Sequence, residues 1–284
     1  VRPNSFSASI LALASLFAAV SCEFQSHRAT WRPDPKVTYQ VRFAAELRAK
    51  ADGSWGSGPY ASTAEAGFSA RAVVDSAKSQ VEISLTVDTL LYHSSERGPD
   101  EDQYMTGRLR KYRAKTALSR TGQMLSLEEE PVMPPVVFTP LDFGRYLAYA
   151  LPAFPDAPIK KGSRWEISQP LLDKFHPDSH VLKRFTLSAL RETPEGDLAV
   201  CLVEMEVFLG EDLGSGSDST RALVPALKGR GQMVFNLGKG MPVSSELELE
   251  GRFQSRLPNR AGDSTLPAEL PLRLEEKITL EFSG

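Results

Sequence analysis

Residues 37–48 read VTYQVRFAAELR, and in them Val37, Tyr39, Val41, Phe43, Ala45 and Leu47 alternate with Thr38, Gln40, Arg42, Ala44, Glu46 and Arg48. An apolar side chain at every second position is the period of a strand with one buried face, because successive side chains leave a strand on opposite sides. The alternation returns in 68–75 and in 81–92, where Val81, Ile83, Leu85 and Val87 oppose Glu82, Ser84, Thr86 and Asp88. Beyond the middle of the chain it recurs in 163–168, 181–191, 198–209, 231–237, 243–256 and 270–282. Thr121-Gly122, Thr193-Pro194-Glu195-Gly196-Asp197 and Gly238-Lys239-Gly240 are tight-turn signals that fold neighbouring strands into antiparallel hairpins. With a basic strand over 104–119 and a short one over 123–127, the pattern predicts about ten strands.

Such strands run roughly 35 to 45 Å, well beyond the common length. Their polar faces are dense in Arg, Glu and Lys, so one face is wet and the other must pack. A single large sheet buries its apolar face by curling on itself or by being covered from the centre of the chain. That centre breaks the alternation. Residues 131–140 (PVMPPVVFTP) are proline-rich, and Thr139 can cap a helix with Pro140 in its first turn and Asp142 near its positive end. This predicts a helix over 141–151, stopped by Pro152, with Leu141, Leu147, Ala150 and Leu151 on one apolar face. The expected fold is mainly β: a large curved antiparallel sheet, half-barrel or barrel-like, with one short central helix. A transmembrane barrel is the structural alternative, separated by whether the apolar faces meet each other or lipid.

The domain plan is one β-rich domain over 37–284, with possible pseudo-repeats 37–130 and 163–282 joined by the proline-rich helical insert. Each half carries a turn-glycine hairpin (RTGQMLSL and LGKGMPVSSEL), an echo that duplication and an ordinary meander both produce.

Ahead of the domain, residues 10–22 read ILALASLFAAVSC, an uncharged run that follows Arg2 and ends in small residues before Cys22. This is the order of an export signal, and it is too short to span a bilayer, which takes roughly 20 residues. Ala19-Val20-Ser21-Cys22 resembles the lipobox of bacterial lipoproteins. The resemblance implies that residues 1–21 are a signal peptide and that Cys22 becomes the first mature residue, carrying thioether-linked diacylglycerol and an amide-linked acyl chain. Two or three acyl chains make a stable membrane anchor where one does not. Residues 22–36, polar and bearing two prolines after the cysteine, read as a short tether. The implied location is the bacterial cell envelope, and Glu23 after the cysteine resembles members sorted to the outer membrane. The strand pattern of the mature chain in turn resembles the half-barrel of the lipoprotein-carrier and lipoprotein-receptor proteins of that envelope. That resemblance lies in pattern alone and transfers no binding residue.

With 33 basic against 36 acidic residues and a net charge of −3, the chain is too near neutral to suggest nucleic acid. It holds two cysteines. An acylated Cys22 leaves Cys201 without an intramolecular partner, on the strand face shared with Ala199, Val203, Met205 and Val207, where it reads as a small buried hydrophobe. No nucleophile elbow, phosphate-binding loop, zinc-protease helix or dinucleotide fingerprint occurs, so no catalytic residue, cofactor or metal ligand is assigned.

The remaining candidates each have two readings. Asp173, His176, Asp178 and His180 can share a cation, but Pro177 removes the helical spacing, and a polar turn is the other reading. The acidic clusters 100–102, 128–130 and 275–276 read as solvated charge. Arg108, Arg110, Lys111, Arg113, Lys115 and Arg120 either dock anionic headgroups or pair across strands with Glu82 and Asp88. Trp55, Tyr60, Phe143, Tyr146, Tyr149 and Trp165 either line an apolar cleft or form plain core. The functional expectation is a non-enzymatic, lipid-anchored envelope lipoprotein. Its partners are the membrane, through acyl chains on Cys22, and a lipophilic ligand or envelope component. A structural partner of another envelope protein and a hydrolase assembled from distant residues are the alternatives.

Overall fold

A computed structural model describes residues 26–51, 60–95, 99–131, 140–172, 178–208, 226–256 and 269–284. Cys22, Trp55 and His176 lie outside them. The strands are β1 (Thr38–Ala51), β2 (Tyr60–Asp75), β3 (Gln80–Ser94), β4 (Arg113–Ser119), β5 (Met124–Glu130), β6 (Arg164–Pro170), β7 (His180–Arg191), β8 (Leu198–Phe208), β9 (Leu227–Asn236), β10 (Met241–Arg256) and β11 (Glu269–Ser283). The helices are α1 (Pro99–Leu109) and α2 (Phe143–Ala150). All strands join one 11-stranded antiparallel sheet in the order β5-β4-β3-β2-β1-β11-β10-β9-β8-β7-β6, curled into a nearly closed barrel. The mainly β, half-barrel expectation therefore holds.

The order is two meanders sealed back to back. Strands β1 to β5 run outward in sequence, β6 to β11 run back, and β1 pairs with β11 from Gln40↔Ser283 to Ala51↔Leu272. The seam lies between the edge strands β5 and β6, and α2 is the element that connects them. Alternation decides which face turns in: Val41, Phe43, Ala45 and Leu47 of β1 are buried, as are Leu274, Ile278 and Leu280 of β11. The apolar faces meet each other, and outward positions on β6 to β9 carry ion pairs rather than lipid-facing side chains. Curvature needs small residues where strands approach. A Cβ on Gly231 would collide with the Glu246 carbonyl and Leu247, so β9 and β10 close up there only with glycine.

The two ends of the barrel differ. One rim is made of the short turns 76–79, 120–123, 192–197 and 237–240 and is stoppered by residues 26–37 and 151–163. Trp31 is fully buried; its amide donates to Arg120 O at 2.8 Å and its indole Nε1 to Pro152 O at 3.3 Å. Arg32 N donates to Gly240 O, and Gly240 takes φ +63° so that this strap can pass without a Cβ in the way. The other, far rim holds the strand ends joined by 52–59, 95–112, 171–179, 209–226 and 257–268.

Several expectations are corrected. Residues 22–36 are not tether throughout: from His27 onward they are strapped to the barrel, because Trp31 finds a place among Phe235 and Pro152 that a free segment would forgo. The strand expected over 104–119 is α1 followed by β4. Pro99 suits the first turn of a helix, Asp100 and Asp102 favour its positively polarised end, and Arg108 sits in its last turn. β2 begins at Tyr60, ahead of the alternation read from 68; its inward face is Ala64, Ala66, Phe68, Ala70 and Ala72, too weakly apolar to stand out. The central helix is Phe143–Ala150, with Asp142 as N-cap accepting from Arg145 N at 3.1 Å. Leu151 closes it in extended conformation, as a residue before proline prefers.

Candidate functional site

The interior is organised by α2, every residue of which is buried. A surface helix buries one stripe; a helix enclosed by a sheet buries all sides and must satisfy its own polar groups there. Phe143 anchors its first turn among Phe43, Phe68 and Tyr112, with ring centroids 5.2, 5.1 and 5.1 Å away. The alanines of β2 leave the room these rings fill. Gly144 lies directly against Leu127 and Glu129 of β5, where a Cβ would not fit. On the opposite side of the seam, Gln169 of β6 donates Nε2 to Ala148 O at 2.8 Å. The helix thus spans the gap between the two edge strands.

The last carbonyls of α2 have no partner further along the helix, and strand side chains supply them. Ser245 of β10 donates to Ala150 O at 2.6 Å, and Lys183 of β7 donates Nζ to Leu151 O at 2.9 Å. Lys183 is fully buried, and burial pulls its amine down to about 7. A cation at a helix C-terminus is favoured by the helix dipole, but burial without a carboxylate opposes the charge.

A second buried group faces β11. Arg145 Nη2 donates to Glu276 Oε1 at 3.2 Å and to the Tyr146 hydroxyl at 3.2 Å, while the Arg145 Nε lies 3.4 Å from Asp142. Its guanidinium stands 4.9 Å from the Tyr146 ring centroid and 5.8 Å from that of Tyr149. Burial pushes the Arg145 pKa down, but Glu276 and the neighbouring hydroxyls outweigh it, so Arg145 stays charged. Burial raises the Glu276 carboxyl, and the Arg145 charge beside it opposes that rise. Burial likewise raises the phenols of Tyr146 and Tyr149. The Tyr149 hydroxyl, Glu276 Oε2 and Gln169 Oε1 find no hydrogen-bond partner among the described residues.

The sequence candidates fall out as follows. Phe143, Tyr146 and Tyr149 come together as core around α2, and Trp165 stacks on Phe185 at 5.2 Å and donates Nε1 to Ala153 O. Glu276, expected in a solvated cluster, is buried as the partner of Arg145. Asp102, likewise expected in solvent, is buried and binds His93 Nδ1 at 3.0 Å and Ser94 N at 3.3 Å, pinning α1 to β3. The basic run is spread over α1 (Arg108), the turn after it (Arg110, Lys111), β4 (Arg113, Lys115) and the next turn (Arg120), and Lys115 pairs with Glu82 at 3.0 Å, the cross-strand reading. His180 stacks on Phe208, and no cluster of three or more His, Cys, Asp or Glu among the described residues can hold a metal ion. Cys201 is buried as expected, its thiol pushed up to about 12 by burial. No helix among the described residues is long and apolar enough to cross a membrane.

Lys183, Arg145, Gln169 and Ser245 were not read as candidates. Lys183 and Glu276 had a signal: each interrupts an inward apolar row, Val181-Phe185-Leu187 and Leu274-Ile278-Leu280. No protein-family model matches the chain, and no curated protein matches it significantly.

Proposed function

We propose that this chain is an exported lipoprotein of the bacterial cell envelope, held in the outer membrane through acyl chains on Cys22, that binds a lipophilic molecule in its half-barrel and catalyses no reaction. The observation that supports this is the difference in length between the strands and the described helix they enclose. β1, β2, β3, β10 and β11 have 14 to 16 residues, or roughly 50 Å of strand, whereas the 8 residues of α2 cover about 12 Å. Inward positions nearer the far rim, Leu47, Ala64, Leu249 and Leu274, are apolar, and the edges β5 and β6 are bridged by packing on α2 rather than by strand pairing. A seam that opens by repacking side chains costs less than one that breaks a hydrogen-bonded ladder.

Native mass spectrometry of a form starting after Cys22 tests the binding reading: co-purified lipid is expected, and a ligand-free chain overturns it. Cys22→Ser is expected to abolish acyl labelling and release the protein from membranes; unchanged attachment overturns the anchor. A second reading, docking of another envelope protein, draws on Leu91 of β3 and Tyr104 of α1, which are 69% and 64% exposed. A ligand-free chain whose membrane complexes dissociate on Leu91→Arg would favour it.

A further inference from the structure

We propose that the stoppered rim faces the membrane and rests on the anionic phospholipid headgroups of the leaflet that holds the anchor. The proposal rests on Cys22 as the anchored residue and adds an orientation and a contact surface to that reading.

The first argument is where the chain enters the fold. His27 exchanges two backbone hydrogen bonds with Ile159, each 2.8 Å, and its Nδ1 lies 4.0 Å from Asp197. From there to Trp31 and Arg32 the chain is held to the 120–123 and 237–240 turns, so lengthening the tether costs the His27–Ile159 pair first and the place of Trp31 in the core after it. Four residues lie between Cys22 and His27, and fully extended chain reaches at most about 18 Å over those five steps. The far rim lies a strand length away, which for the tilt of barrel strands is about 35–40 Å along the axis and beyond the reach of that span. A bilayer gripped at Cys22 therefore meets the stoppered rim first.

The second argument is charge. Arg28, Arg32, Lys36, Arg120, Lys161 and Arg191 are exposed on this rim and form no ion pair among the described residues. Of the carboxylates there, Asp75 is paired with Lys78 and Glu195 with Lys239 at 2.6 Å. Asp34, Asp156, Glu192 and Asp197 keep charges that no Lys or Arg among the described residues offsets, four against the six unpaired cations. This end is thus cationic in a chain whose net charge is −3. Juxtamembrane cations of this kind attract anionic headgroups within a Debye length, about 8 Å at physiological ionic strength.

The test has two arms. Without the anchor, the chain from residue 23 onward is mixed with phosphatidylglycerol vesicles and with phosphatidylcholine vesicles. Sedimentation with the first alone, reduced about tenfold by the double change Lys161→Glu and Arg191→Glu but not by Gln103→Glu on α1, is the expected result. Equal sedimentation of the rim variant, or none by the parent, overturns the proposal whatever the state of Cys22. With the anchor, the acylated protein in phosphatidylglycerol–phosphatidylethanolamine vesicles carries one fluorophore, at Ser76→Cys on the stoppered rim or Gln103→Cys on α1 at the far one. Cys201 stays unlabelled because it is buried and its thiol is held protonated. Headgroup-borne quenchers are expected to quench the Ser76 site several-fold more; equal or reversed quenching overturns the orientation. Failure of Cys22→Ser to release the protein contradicts the anchor and leaves the sedimentation arm to decide the rim.

Discussion

The same residue types are used in opposite ways on the two faces of the sheet. Outside, Glu166, Arg184, Glu206 and Lys228 form a ladder across β6, β7, β8 and β9, with contacts of 2.9, 3.0 and 3.5 Å. Inside, Arg145 and Glu276 meet at 3.2 Å, enclosed by Tyr146 and Tyr149. Distances barely separate the two; surroundings do. Water and salt screen the ladder, so removing one member leaves its neighbours solvated. Around α2 neither charge can recruit water, so each depends on the other. Lys183 sharpens the contrast: it is a buried amine whose only described hydrogen bond is to a backbone carbonyl, and its pKa falls.

The largest effect should come from unbalancing the buried pair. Glu276→Ala removes the fully buried carboxylate beside Arg145, leaving the partly exposed Asp142, and is expected to cost about 3–5 kcal/mol, read as a lower urea midpoint with unchanged m. Adding Arg145→Met should restore most of it, and a double variant no better than the single would refute the pairing. Next comes Lys183→Met, expected to stabilise by roughly 1–4 kcal/mol near neutral pH despite the lost bond to Leu151 O. The sign follows from the depressed pKa. Between about 7 in the folded state and 10.5 in the unfolded one, the unfolded chain holds a proton the folded chain lacks, so stability rises with pH across that window. Denaturation from pH 7 to 9.5 should show that rise in the parent and lose it in Lys183→Met. Ser245→Ala removes a neutral donor from the buried Ala150 carbonyl and should cost about 1 kcal/mol. Smallest is Arg184→Ala on the ladder, expected to leave the urea midpoint unchanged within error; a shift comparable to that of Glu276→Ala would erase the distinction between the faces.

Strand positions on β1, β3 and β7 to β11 were legible because long alternation with strong contrast has one structural solution. β2 was half hidden, since a row of alanines carries little hydropathic contrast while its value lies in making room for Phe143. The segment of α1 misled in another way: its acidic first turn looks like a solvated loop until Pro99 and Arg108 are read together as its two ends. Within the site, the positions of Lys183 and Glu276 could be seen as breaks in an apolar row. Their partners could not, because Leu151 lies 32 residues from Lys183 and Arg145 lies 131 from Glu276.

From sequence alone came the class of fold, the inward face of most strands, the central helix with its proline stop, and the expectation of an acylated Cys22. Those are local properties, set by side-chain period, turn chemistry and short motifs. Tertiary structure alone decided that β1 seals against β11, that the helix lies inside the barrel between β5 and β6, that Trp31 straps the incoming chain to one rim, and that Arg145 and Glu276 are partners. These depend on closure of the sheet, which brings distant segments into one water-poor interior, and no local pattern records which of them will meet.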